Sequence, residues 1–232
     1  MNVATMESIE EEFWNKSELI RPRHTAIIVI DMQNDTCKQD SPLGRAGWDM
    51  SSVAGMAPRL ANFLTATRKL GFKVIHTRNI HSSNTNSGVR LRQARKSKWP
   101  IFAEASTTGS AWYDKFSEFN PLPGEAIITK HRYSAFVGTD LTQVLRANSI
   151  RTLALTGVET HVCVESTARS AFMEDFHVLL ISDCTATQTA PNQKVASEIM
   201  RNVTLDIIDE YFGTVMTSDE FLLLAMQTKT LA

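Results

Sequence analysis

The chain has 232 residues, 43% hydrophobic and 21% charged, with a formal net charge of −1 at pH 7. That length allows one large α/β domain or two small ones, and the near-neutral charge gives no reason to expect nucleic acid or an anionic membrane as partner. Cysteines occur only at 37, 163 and 184, too few and too unevenly spaced for a disulfide framework or a zinc cluster, and they fit a reducing, cytoplasmic setting.

Residues 1–23 carry an acidic cluster before any apolar stretch. A signal peptide needs the reverse order, so this leader reads as an N-terminal arm lying on its own domain or on a neighbouring subunit. No apolar run approaches the length of a membrane span. The remainder, 24–232, reads as a single domain.

Short apolar runs then alternate with stretches of helical period. "TAIIVID" ends at Asp31, "FKVIHTR" at Arg78, "EAIITK" at Lys130, "RTLALTG" at Gly157, "HVLLISD" at Asp183 and "VTLDIID" at Asp209. Each is too short for a free-standing helix, and several are apolar throughout, as strands covered on both faces are. Between them, Val53, Met56, Leu60, Phe63, Leu64, Thr67 and Leu70 recur at three- and four-residue spacing, and Gly71 closes that run. Residues 140–148 place Leu141, Val144 and Leu145 on one face, and 163–175 do the same with Val164, Ala168, Ala171 and Phe172. Pro191 suits a first helical turn with Val195, Ile199 and Met200 inward, and "TSDE" at 217–220 reads as a capping box.

Six strands alternating with helices predict a three-layer α/β/α fold on a mainly parallel six-stranded sheet of Rossmann-like kind. The interval 79–124 is polar, basic and long for a plain crossover, and reads as an insertion capping the site.

In an open parallel sheet, ligands collect at the carboxyl ends of the strands. Three strands deliver a reactive residue there: Asp31, Lys130 and, just after the fourth run, Cys163. A free thiol has a pKa of about 8.5 and is a weak nucleophile at neutral pH. A helix N-terminus and a nearby cation such as Lys130 both favour the thiolate. Asp31 is placed to take the thiol proton and return it to a departing amine. Backbone N–H groups in the turn from Gly157 to Cys163 are candidates for holding an oxyanion. Against this stands the plain alternative that Cys163 is a buried apolar residue, Asp31 a helix cap and Lys130 a solvated strand end.

Three blocks tip the balance. "IIVIDMQND", "ITKHRYSAFVGTDL" and "LTGVETHVCVESTARSAFMEDFHVLLISD" resemble the signature blocks of the isochorismatase-like cysteine hydrolases, a superfamily that includes nicotinamidases, N-carbamoylsarcosine amidases, biuret hydrolases and ureidoacrylate amidohydrolases. The resemblance implies an Asp–Lys–Cys triad at Asp31, Lys130 and Cys163, and a cis peptide between Val158 and Glu159 that turns the N–H groups of Glu159 and Cys163 toward the oxyanion. It also implies dimers or tetramers. "KHRYSAF" and "CVESTARSAF" look most similar to ureidoacrylate amidohydrolases and related enzymes that cleave ureido or carbamoyl C–N bonds. Many relatives have a small residue where this chain has Glu159.

Nicotinamidases carry an Asp-x-His metal motif after the second strand. Here "RNIHSS" has Asn79 in place of the Asp, so no catalytic metal and no cofactor are expected. Tentative substrate contacts are Gln33 (or an orienting role on Asp31), Asn79, His81, and Tyr133 with Phe136 as an apolar wall. Arg90, Arg92, Arg95, Lys96 and Lys98 read mainly as a solvated face, one arginine of which is a candidate clamp for a substrate carboxylate. The expectation is therefore a cysteine-dependent amidohydrolase for a small ureido, carbamoyl or amide molecule. Its rivals are a vinyl-ether hydrolase, which needs no thiol, a non-catalytic binding protein of the same fold, and a thiol redox sensor.

Overall fold

The computed structural model describes residues 19–82, 84–96, 112 and 119–230. Residues 1–18 of the expected arm, Lys98 and most of the second half of the expected cap lie outside the described residues. Strands β1 (Thr25–Ile30), β2 (Lys73–Asn79), β3 (Ala126–Lys130), β4 (Thr152–Val158), β5 (His177–Ala186) and β6 (Thr214–Met216) form one sheet. Its order is β3-β2-β1-β4-β5-β6, and every neighbouring pair is parallel. The helices are α1 (Asn34–Cys37), α2 (Pro42–Arg45), α3 (Ser51–Lys69), α4 (Gly88–Lys96), α5 (Leu141–Ala147), α6 (Glu165–Met173), α7 (Ser197–Tyr211) and α8 (Ser218–Thr230), with a π-helical turn at Thr160–Val164. Among the described residues no helix is long and apolar enough to cross a membrane.

All of β1 is buried, because both faces of the sheet are covered. Ile27 and Val29 point into a core shared with Val53, Leu60 and Phe63 of α3 and Phe221 of α8. Ala26, Ile28 and Ile30 alternate onto the opposite face, under Leu141 of α5, Ala168 of α6 and Ile208 of α7. Phe221 anchors α8, with its ring centroid 5.3 Å from those of both Phe63 and Phe72. The expected capping box is present: Thr217 N donates to Glu220 Oε2 at 2.7 Å, and Glu220 N donates to Thr217 Oγ1 at 3.2 Å.

Five of the expected strands are found, but the sixth is displaced. "VTLDIID" lies inside α7, with Thr204 and Ile208, one helical turn apart, buried while Val203 is exposed. The true sixth strand, Thr214–Met216, is three residues long, too short for alternation to register. Pro191 likewise precedes the helix rather than opening it, since α7 starts at Ser197 and Val195 and Ile199 face outward. Phe172 is also exposed rather than inward, and Cys184 sits in β5, fully buried.

At the centre of the sheet, Gly157 lets β4 lie against β1. Its φ is +101°, and a Cβ there would meet Ile30 O at 2.1 Å, a backbone atom that cannot swing aside. Gly157→Ala therefore combines backbone strain with overpacking and is expected to cost at least about 2 kcal/mol, read as a lowered denaturant midpoint. A loss below about 0.5 kcal/mol, the range of an ordinary surface substitution, would contradict this packing.

Candidate active site

The strand order reverses at β1 and β4, and the crevice beyond their carboxyl ends is where such sheets bind ligands. Asp31 follows β1 directly, and Cys163 lies in the π-helical turn that follows β4. Lys130 ends β3, two strands from β1, a separation of roughly 9.5 Å at usual strand spacing. Its long stem closes that gap.

The three side chains meet. Lys130 Nζ lies 2.7 Å from Asp31 Oδ2 and donates to Cys163 Sγ at 3.3 Å and to Arg132 O at 3.0 Å. An ammonium has three hydrogens, and these three acceptors use them. Asp31 adopts a left-handed φ of 53°, a conformation aspartate tolerates better than most residues. Thr77 of β2 holds it there, accepting from Asp31 N at 3.2 Å and donating to Oδ1 at 2.6 Å. On the other side, Thr167 Oγ1 donates to Cys163 O at 2.7 Å and accepts from Ala135 N at 3.1 Å, tying the segment after β3 to the cysteine turn. Sequence reading missed both threonines; Thr77 stands between His76 and Arg78, where a hydroxyl does not stand out.

Electrostatics decide which group carries the charge. Burial acts to lower the Lys130 pKa, but the charges of Asp31 and Cys163 and their hydrogen bonds more than offset it, leaving the amine above its ordinary value. Burial pushes the Cys163 thiol up to about 12; Lys130 opposes the rise and Asp31 adds to it. This reverses the expectation of a standing thiolate. With the thiol protonated, ammonium and carboxylate cancel; ionising the sulfur as well would leave a net negative charge away from water. The thiol therefore keeps its proton until a reaction takes it.

A cavity of about 610 Å³ opens onto Asp31 and Cys163, a volume suited to a small molecule. Gln33, Asn79, His81, Tyr133 and Glu159 all line it, but their surroundings differ. Gln33 is committed to structure, its side-chain amide pairing both ways with the backbone of Asn79, N to Oε1 at 2.7 Å and Nε2 to O at 3.2 Å. His81 is buried rather than exposed. Burial and then Arg90 depress its pKa to about 3, and its Nε2 faces the Arg90 guanidinium. Phe136 is no wall of the cavity; it belongs to the core, with its ring centroid 5.9 Å from that of Phe176. The Asn79 Oδ1 is buried without a hydrogen-bond partner.

Of the described basic residues in the expected cap, Arg90 lines the cavity and Arg92, Arg95 and Lys96 do not. The Arg90 guanidinium carbon sits 5.6 Å from the centroid of the Tyr133 ring. His161, Gln93, Trp48 and Gln193 also face the cavity and were not foreseen. The Val158–Glu159 peptide is cis. Among the described residues, no three His, Cys, Asp or Glu side chains are grouped to hold a metal ion.

Because burial pushes the Cys163 thiol up to about 12, alkylation of Cys163 by iodoacetamide should accelerate about tenfold per pH unit from pH 7 to 9. Peptide mass mapping separates it from Cys37 and Cys184. A plateau below pH 8 would show instead a stabilised thiolate.

An isochorismatase domain model matches residues 25–220. The ureidoacrylate amidohydrolase RutB of Serratia proteamaculans is 31% identical over 211 residues, covering 86% of this chain and 82% of its own. Its namesake from Agrobacterium fabrum is 29% identical over 213 residues, covering 87% and 90%. The crystal structure of a cysteine hydrolase from Pseudomonas syringae pv. phaseolicola superimposes with a TM-score of 0.77 at 27% identity, covering 89% of this chain and 94% of the other. Strand order, crevice and sequence agree, and the chain belongs to the isochorismatase family.

Proposed function

We propose that this chain is a cysteine-dependent amidohydrolase, cleaving a C–N bond of a small ureido, carbamoyl or amide compound through a thioester on Cys163. The observation that carries the reading is the Lys130 ammonium, fully buried and bonded to both Asp31 and Cys163, which line the cavity. The ureidoacrylate amidohydrolases among its relatives support the choice of a C–N bond. A vinyl-ether hydrolase would have no use for the thiol, and a binding protein no use for a buried ion pair aimed at it.

In this mechanism Cys163 Sγ attacks the substrate carbonyl carbon while its proton passes to Asp31. The carbonyl electrons move onto oxygen, and the backbone N–H groups of Glu159 and Cys163 receive that oxyanion. The C–N bond then breaks, and the departing nitrogen takes the proton from Asp31. Water, deprotonated by Asp31, attacks the thioester, and the acyl group leaves as the sulfur regains a proton. For a ureido substrate the released carbamate decomposes to carbon dioxide and ammonia. Lys130 steadies the sulfur as it becomes negative, in a site where its charge is poorly screened.

Arg90 and Tyr133 form the end of the cavity that takes an anionic group of the substrate, since a guanidinium matches a carboxylate bidentately. We read 79–124 as the cover of a single domain, and take the cytoplasm as its setting because three unevenly spaced cysteines suit a reducing compartment. Ile199 and Val203, one turn apart and exposed on α7, favour a homodimer or homotetramer.

The test is ammonia release from a panel of ureido acids, N-carbamoyl amino acids, biuret and simple amides. Cys163→Ala and Asp31→Asn are each expected to lower kcat by at least about 10³-fold on the best substrate. Arg90→Gln should raise KM for acidic substrates about 10- to 100-fold while sparing neutral ones. Full turnover by Cys163→Ala would end the thioester reading.

A further inference from the structure

Glu159 follows β4 directly and caps the turn that carries Cys163, and it lines the same cavity. The residue is only 8% exposed. His161 Nε2 lies 3.8 Å from its Oε2, which is too far for a hydrogen bond. Other ionisable groups face this cavity but are turned to other partners. Asp31 is bound to Lys130, and Arg132 donates to Thr85 O and His131 O. Arg90 is engaged by His81, and among the described residues Asp35, Tyr133 and Cys163 also line the cavity.

A buried carboxyl with so little around it is expensive to keep charged. Burial pushes the acid up to about 8. Burial also lowers His161, against the raising influence of Glu165, so both shifts favour the uncharged forms. A neutral carboxylic acid has one O–H to donate and a carbonyl oxygen to accept with. An uncharged amide or ureido unit offers the matching pair, an N–H beside a C=O. A carboxylate or an ammonium does not.

Resting on the reading of the cavity as a C–N hydrolase site, we propose that Glu159 is its specificity-determining residue, using a carboxylic acid's donor and acceptor to hold the N–H and C=O of an uncharged ureido or amide group. Recognition at this end complements the charge recognition assigned to Arg90. The substrate class is then a small acid bearing a ureido or amide group. Raising the pH ionises Glu159, removes its donor, and weakens binding.

The probe is 3-ureidopropionate, titrated calorimetrically into the full chain carrying Cys163→Ala so that turnover does not interfere. Binding should weaken about tenfold between pH 6.5 and pH 9. Adding Glu159→Ala should weaken it about tenfold at pH 6.5. Adding Glu159→Gln, which keeps a donor and an acceptor, should leave it within about threefold and remove the pH dependence. A Glu159→Ala variant that binds as well as its parent overturns the proposal, as does a Glu159→Gln variant with the parent's pH dependence, or no binding at millimolar probe.

Thermal unfolding provides a readout free of ligand. A carboxyl raised in the folded state from 4.5 to about 8 contributes stability that is present at low pH and is lost as pH rises through that interval. Glu159→Gln removes that loss, so its Tm relative to wild type should rise from pH 5 to pH 8.5. A constant difference shows that Glu159 is already ionised, and also overturns the proposal. Failure here leaves the hydrolase reading standing, because that reading is judged separately by the turnover of the Cys163→Ala variant.

Discussion

An ammonium group with no contact to water is the constraint around which this molecule is arranged. Lys130 is fully buried, and a buried charge survives only when it is paired and its hydrogens are satisfied. Asp31 supplies the opposite charge, and Cys163 Sγ and Arg132 O take the remaining hydrogens. Removing any of these leaves an uncompensated group in the interior. The site and the local stability of three strand ends are therefore one problem with one solution.

That solution depends on the sheet order. With β1 between β2 and β4, the residue after β1 has a hydroxyl from β2 on one side and the cysteine turn on the other. Thr77 fixes the carboxylate, Thr167 fixes the backbone of Cys163, and Gly157 allows the close approach of β4 to β1 that sets their spacing. The Gln33 amide stitches the segment after β1 to the end of β2 as a strand would. Lys130, Asp31 and Cys163 are all buried, which strengthens the electrostatic coupling within the triad.

Much of this was legible in the sequence, for a physical reason. A strand covered on both faces is apolar throughout, so "TAIIVID" announces itself, and the polar residue that ends it stands out. Asp31 and Lys130 were found this way, Cys163 from its place in the turn after the fourth run, and the family blocks pointed to the same three. What failed was the part set by tertiary context. "VTLDIID" alternates by accident, while burial of Thr204 and Ile208 shows the period of a helix. Phe136 and Tyr133 lie close in sequence, yet one enters the core and the other the cavity. The sign of the Cys163 shift depends on how completely the triad is buried, which no linear pattern reports.

The account's central claim is that a neutral Cys163 thiol, poised by the buried Lys130–Asp31 pair, becomes acylated by substrate during turnover. Rapid-quench intact-mass measurement on the wild-type chain with its best substrate tests this directly. The account predicts a transient species heavier by the acyl group, mapping to the peptide of Cys163 and absent from Cys163→Ala. Steady turnover with no adduct at any time, in a reaction that still proceeds in Cys163→Ala, would contradict it.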